Sequence, residues 1–233
     1  MSTTFFNSSP KIAVKNTSTN NVEKMDIEEY IVGVVAAEMP ASFNIEALKA
    51  QAVASRTYAY YKMESSNGDY DVVTDVSNQS YITVSQMQEK WGSDYNKYYE
   101  KIKKAVLDTK GLVMLYNDKI VEAYYFAMSN GYTEDVSLVF SEERDYLKSV
   151  ESLSDRENKN FLVETKISKQ EFCTKLEIDC SGIVIKSIER SRTNRVNSLV
   201  VNDKTFKGTV FRTKLGFRST DFDIDIGSDF VHI

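Results

Sequence analysis

Glu38 ends the apolar run Gly33-Val-Val-Ala-Ala-Glu-Met-Pro40, and its nearest charged neighbours in sequence are Glu29 and Glu46. A carboxylate in such surroundings either lines a cleft or is desolvated, which is the setting in which a carboxyl group serves as a general acid. A plain helix-end glutamate reaching solvent or a backbone N–H would give the same pattern. Rival chemistries are few. The chain has a single histidine, His232, beside the C-terminus. That excludes Ser-His and Cys-His nucleophilic catalysis and histidine-ligated zinc. Its only cysteines, Cys173 and Cys180, cannot build a four-thiolate site. They form a disulfide or remain two thiols. Acid–base work in this chain therefore falls to carboxylates, lysine or tyrosine.

Other residues qualify by type and spacing. Lys49 and Arg56 are seven apart on a helical pattern and so share one stripe. They flank the cleft of Glu38 or lie on a solvated face. Ser129, Asn130, Thr133 and Glu134 belong to the polar turn Ser129-Asn-Gly-Tyr-Thr-Glu134, a loop of the kind that carries function or merely turns the chain. The pairs Tyr60, Tyr61 and Tyr98, Tyr99 are either sugar-stacking rings or half-buried packing residues.

The elements that must position these residues are legible in part. Asp26 caps a helix whose apolar residues Ile27, Tyr30, Ile31, Val34 and Val35 repeat at helical spacing, and Pro40 ends it near Met39. Asn44 caps a second helix that runs to the Ser-Ser-Asn-Gly stop at 65–68. A short strand is expected at 11–14, loop and short strand over 69–83, and a third helix over about 94–109. Residues 112–116 and 119–126 read as a hairpin about Asn117-Asp118. Ser168 and Glu171 form a capping box for a helix to about Leu176. Strands are expected at 183–188, 198–201, 205–212 and 222–226. Helices first and strands later predict an α+β fold: an N-terminal helical segment packed with an antiparallel hairpin, then a strand-rich C-terminal half, either a second lobe around a substrate cleft or part of one sheet with the hairpin.

Bulk composition narrows the class. With 233 residues, 42% of them hydrophobic, the chain can bury a substantial core. A net charge of -5 argues against a phosphate-backbone or anionic-lipid surface, so no nucleic-acid partner is expected. No run approaches the roughly 18 consecutive apolar residues of a membrane span. The start, MSTTFFNSSPK, lacks the basic and apolar regions of a signal peptide.

The block from Gly33 to Pro40, followed by Glu46-Ala-Leu-Lys-Ala-Gln-Ala-Val-Ala-Ser-Arg-Thr-Tyr-Ala59, resembles the signature of the stage II sporulation protein D (SpoIID) family and its amidase-enhancer relatives. The similarity continues at Asp75-Val-Ser-Asn-Gln-Ser-Tyr81, at 129–134, at Tyr146-Leu-Lys-Ser-Val150 and at Phe211-Arg-Thr-Lys-Leu-Gly-Phe-Arg-Ser-Thr220, so it covers nearly the whole chain. The resemblance implies a single catalytic ectodomain over residues 1–233, on the wall side of the cell or septal membrane, with the N-terminal anchor of such proteins absent from these residues. It implies a lytic transglycosylase acting in engulfment, which cuts stem-peptide-free glycan strands between N-acetylmuramic acid and N-acetylglucosamine and leaves a 1,6-anhydro end. Glu38 matches the family's catalytic glutamate. Ser129, Asn130, Thr133, Glu134, Lys49 and Arg56 are the expected substrate-binding residues. The partners it implies are peptidoglycan glycan strands and stage II sporulation proteins P and M. Some relatives hold zinc through His and Cys in the segments that here read DVSNQSY and YFAMSNG; neither ligand type is present, so no metal is expected. Two other readings remain. One is an amidase enhancer that stimulates a wall amidase without cutting glycan. The other is a hydrolase with Glu134 or Asp75 as second carboxylate.

Overall fold

In the computed structural model, which describes residues 2–5, 9–140 and 142–233, the chain divides into two units, Met1–Ala127 and Met128–Ile233. The first begins with strands β1 (Ser2–Phe5), β2 (Lys11–Lys15) and β3 (Val22–Asp26), followed by helices α1 (Ile27–Glu38) and α2 (Ile45–Ser65). The short strand β4 (Val72–Val73) leads to helices α3 (Val84–Trp91) and α4 (Tyr95–Asp108) and the hairpin β5 (Leu112–Tyr116), β6 (Lys119–Ile120). Two small sheets result, with strand orders β3-β2-β4 and β1-β5-β6.

α1 is the centre of this unit because its sequence is apolar nearly all round. Tyr30, Ile31, Val34, Val35 and Ala36 are fully buried. Its start is set by Asp26, whose carboxylate accepts from the Glu28 N–H at 2.8 Å. It stops before Met39, whose extended backbone is what Pro40 requires of its predecessor. Asn44 caps α2 by accepting from the Glu46 N–H. The hairpin turn places Asn117 and Asp118 at φ of 50° and 59°, a pairing those residues tolerate.

α3 escaped the sequence reading. Its signal was present: Thr83 and Gln86 form a complete capping box. The expected strand over 119–126 is corrected to β6 alone, and residues beyond it leave the ladder.

The second unit carries α5 (Val136–Phe140), β7 (Lys166–Ser168), α6 (Lys169–Leu176), β8 (Ile185–Arg190), β9 (Val196–Val201), β10 (Lys204–Lys207), α7 (Gly208–Leu215), β11 (Asp225–Ile226) and β12 (Phe230–His232). Its sheets, β10-β9-β8 and β11-β12-β7, share no strand with the hairpin of the first unit. The fold is α+β, as expected. Ser168 caps α6, accepting from the Glu171 N–H at 3.1 Å. Cys173 and Cys180 are joined by a disulfide.

The strand expected over 205–212 is corrected: β10 ends at Lys207 and the chain continues as α7. Phe211 is the reason. It is fully buried among the rings of Phe172, Phe206, Phe217 and Phe222, a contact set that only a helical turn brings to one point. Gly216, at φ +79°, then closes the helix. The alternating run 222–226 likewise keeps only β11 as strand, because Phe222 turns into this aromatic cluster.

Candidate functional site

Glu38, the last residue of α1, lines a cleft of about 210 Å³ within the first unit, with Tyr58, Val76, Asn78, Ala123, Tyr124 and Tyr125. Each element of the cleft has a local cause. Pro40 ends α1 so that the glutamate sits at the helix end and is half-buried. Tyr58 comes from the middle of α2. The residues 123–125 reach the cleft because the hairpin's second strand stops after Ile120.

The remaining wall is the connection between β4 and α3, residues 74–83. Three successive residues of it each present an N–H to a cleft group. Asn78 Nδ2 donates to the Tyr58 hydroxyl at 3.2 Å, Gln79 Nε2 to the Tyr125 hydroxyl at 3.1 Å, and the Ser80 backbone N–H to Glu38 Oε1 at 2.8 Å. The connection is tied down at several points. Gln79 is 1% exposed, and it also accepts from Tyr30 Oη and donates to the Ser55 carbonyl. Asn78 Oδ1 accepts from the Val73 N–H at 2.8 Å. The Ile82 N–H donates to the Gly33 carbonyl, and the Tyr81 ring stacks on Tyr30 at 5.5 Å. Gly33 is required here: a Cβ would lie 2.2 Å from the Tyr81 ring and 2.9 Å from the Ile82 carbonyl oxygen.

Tyr125 and Tyr30 are kept protonated. Burial pushes Tyr125 above the ordinary phenol value; a hydrogen bond from Ser55 pulls the other way, and the nearby Glu38 charge adds to the rise. Tyr30 is raised well above its ordinary value, chiefly by burial, with the neighbouring phenols and Glu38 contributing. Behind Tyr58, Lys62 stands 5.0 Å over the ring and pairs with Glu122 at 2.7 Å.

Arg56 is not in the cleft, and the expectation that it flanks the substrate is corrected. It is fully buried. Nε and Nη2 grip the Glu28 carboxylate, with the shortest contact 2.6 Å, while Nη2 and Nη1 donate to the carbonyls of Val106 and Leu112. Glu28 also accepts from the Gly111 N–H at 3.3 Å. The pair joins α1, α2, α4 and the start of β5. Lys49 does share the stripe of Arg56, but the stripe faces α4. Lys49 pairs with Asp108 at 3.2 Å and Glu46 at 3.0 Å, at the rim where Arg56 is underneath.

The turn at 129–134 belongs to the second unit, and its polar side chains are bonded there, apart from Asn130 Oδ1, which is buried without a partner among the described residues. The Ser129 N–H and Oγ both donate to Asp155. Asn130 Nδ2 donates to the Thr193 carbonyl and to Asp221. Thr133 exchanges hydrogen bonds with Val150 and donates to the Lys148 carbonyl. Glu134 accepts from Ser191 and Thr193 and lies 3.8 Å from Arg195. Asp75 is held by the N–H and hydroxyl of Ser77, which lower its pKa from the ordinary carboxylate value.

No three His, Cys, Asp or Glu side chains among the described residues cluster as a metal site. The segments that read DVSNQSY and YFAMSNG contribute amides and phenols to the cleft, which are poor ligands for zinc.

The sequence reading missed Tyr58, Asn78, Gln79, Ser80 and Tyr125 as site residues. The signal for them was that each lies in a segment compared with the family: Tyr58 in 46–59, Asn78, Gln79 and Ser80 in 75–81, and Tyr125 at the start of YFAMSNG.

The family model described as Stage II sporulation protein, SpoIID, matches residues 15–116, the stretch that holds Glu38, Tyr58 and 78–80. Stage II sporulation protein D of Bacillus amyloliquefaciens is 39% identical over 219 residues, 91% of this chain and 64% of that protein. The protein of the same name from Bacillus subtilis is 37% identical over the same shares. Residues 15–116 thus carry a SpoIID-type domain, in a chain similar to stage II sporulation protein D along 91% of its length. The chain spans 64% of the length of these two relatives. An amidase enhancer of Bacillus subtilis is also similar, 37% identical over 115 residues, covering 49% of this chain and 14% of that protein.

Proposed function

We propose that the chain is the catalytic part of a lytic transglycosylase that cuts stem-peptide-free peptidoglycan strands, with Glu38 as its acid–base. One observation carries this: Glu38 is the single carboxylate among the described residues lining the cleft, and a backbone N–H holds one of its oxygens. A glycosidase that uses water commonly needs two carboxylates flanking the bond. An intramolecular displacement needs one. Glu38 gives its proton to the glycosidic oxygen as the bond to C1 breaks. The C6 hydroxyl of the muramic residue then closes on C1, and its proton goes to the carboxylate just formed. The atoms balance with no water consumed, and the enzyme returns protonated. Ser80 N–H on Oε1 leaves Oε2 as the oxygen that carries the proton.

The disulfide supports a place outside the cytoplasm, where such bonds persist. No helix among the described residues is long and apolar enough to cross a membrane, so wall-side anchoring belongs to the rest of the longer protein in this proposal. The partners proposed for that protein are stage II sporulation proteins P and M, the first supplying strands stripped of stem peptides.

The similarity to an amidase enhancer favours one competing reading, stimulation of a wall amidase without glycan cleavage. The test is incubation of purified protein with stem-peptide-free strands and mass analysis of the new ends. Anhydro ends that vanish in Glu38→Gln, with the melting temperature retained, support the proposal. Reducing ends would mean a hydrolase. No product, together with a faster amidase, would mean an enhancer.

A further inference from the structure

We infer that Tyr125 is a second catalytic residue, a fixed hydrogen-bond donor that takes the acetamido carbonyl of the sugar bound beside Glu38. The inference rests on the glycan-cutting proposal for the substrate class and on hydrogen-bond bookkeeping for the geometry.

A phenol oxygen can accept about two hydrogen bonds and donate one. The acceptor side of Tyr125 is engaged by Gln79, whose Nε2 donates to it at 3.1 Å. That donor cannot reverse. The Gln79 amide is oriented by Tyr30 Oη on its oxygen and the Ser55 carbonyl on its nitrogen, and the residue is buried. What remains to Tyr125 is its hydrogen, and the ring lines the cleft with Glu38.

Burial keeps this phenol protonated, so it does not compete with Glu38 as an acid. A neutral donor of fixed direction suits a neutral acceptor. On an N-acetylated glycan the amide carbonyl is the strongest such group, whereas the hydroxyls can turn to suit either role. A donor already aimed at that oxygen needs no reorganisation during reaction.

The experiment compares fully N-acetylated strands with chemically de-N-acetylated strands of the same length, for the wild-type protein and for Tyr125→Phe. The wild type should favour the acetylated strand by roughly 10- to 100-fold in kcat/KM, the range expected when a buried donor loses its acceptor. In Tyr125→Phe the ratio should collapse toward one, through a fall on the acetylated strand. Phenylalanine keeps the ring, and the Gln79 amide keeps the Ser55 carbonyl, so the melting temperature should hold. Equal turnover of both strands by the wild type, or an undiminished ratio in Tyr125→Phe, overturns the assignment. The same two strands are titrated onto Glu38→Gln, with and without Tyr125→Phe, to read the binding ratio without turnover. A wild type that cuts nothing while Glu38→Gln still binds the acetylated strand preferentially, through Tyr125, sinks the cleavage proposal and leaves the recognition standing. Equal binding of the two strands sinks the recognition.

Discussion

Replacing Arg56 by leucine decides whether this arginine serves substrate or core. In the structure the substitution strands the Glu28 carboxylate, 6% exposed, with the Gly111 N–H as its remaining hydrogen bond from this network. It also takes the guanidinium donors from the carbonyls of Leu112 and Val106, the latter keeping its hydrogen bond from the Thr109 N–H. Breaking a buried pair by removing one partner costs about 3–5 kcal/mol. At about 3 °C per kcal/mol for a protein of this size, the melting temperature should fall by roughly 9–15 °C. The double variant Glu28→Met, Arg56→Leu removes both charges and should recover most of that loss, because two well-packed apolar groups cost little in place of a buried pair. Differential scanning calorimetry measures both shifts. Turnover per folded molecule, taken well below the transition, should stay within about threefold of wild type for the double variant. A variant of unchanged melting temperature that no longer binds or cuts glycan would refute the reasoning and return Arg56 to the substrate.

Three further outcomes are expected. Gly33→Ala drives a Cβ into the Tyr81 ring and the Ile82 carbonyl, so the 74–83 connection must shift; overpacking of this kind costs about 1–3 kcal/mol, and kcat should fall more than stability does because Ser80 moves off Glu38. Stability should decline as pH rises above about 10, because Tyr30, Tyr81 and Tyr125 have raised folded-state values and the unfolded chain loses those protons first. Their stabilisation is complete below the unfolded phenol value and is lost toward the folded one, at up to about 1.4 kcal/mol per pH unit for each; urea titrations at pH 9 to 11 should show a shallower fall in Tyr125→Phe. Removing the disulfide by Cys173→Ala, Cys180→Ala should cost up to about 2.5 kcal/mol, from closure of a loop with separation 7, and a melt under reducing conditions should show the same loss in the wild type.

Much of the local structure was legible in the chain, and the reasons are local. Asp26, Asn44 and Ser168 mark helix starts because a short polar side chain satisfies the first free N–H groups. Pro40 ends α1 by its own sterics, and that end is where Glu38 stands. The apolar repeat from Ile27 to Val35 marked α1 as a helix, and packing made it the buried centre of its unit. Scarcity of histidine left a carboxylate as the natural acid. Tertiary packing decided the rest. Lys49 and Arg56 were rightly put on one stripe, but the helical period does not say what covers a stripe, and here it is α4. Residues 205–212 have strand-like composition, yet Phe211 gains more from an aromatic cluster reached through a helical turn. The amides of 78 and 79 are ordinary loop residues in sequence, and only the return of that loop over α1 and α2 brings them to the phenols. The setting of Glu38 at a helix end was thus written in its own neighbourhood. The groups that hold and assist it are distant in sequence, because hydrogen-bond partners are chosen by proximity after folding, which no spacing along the chain encodes.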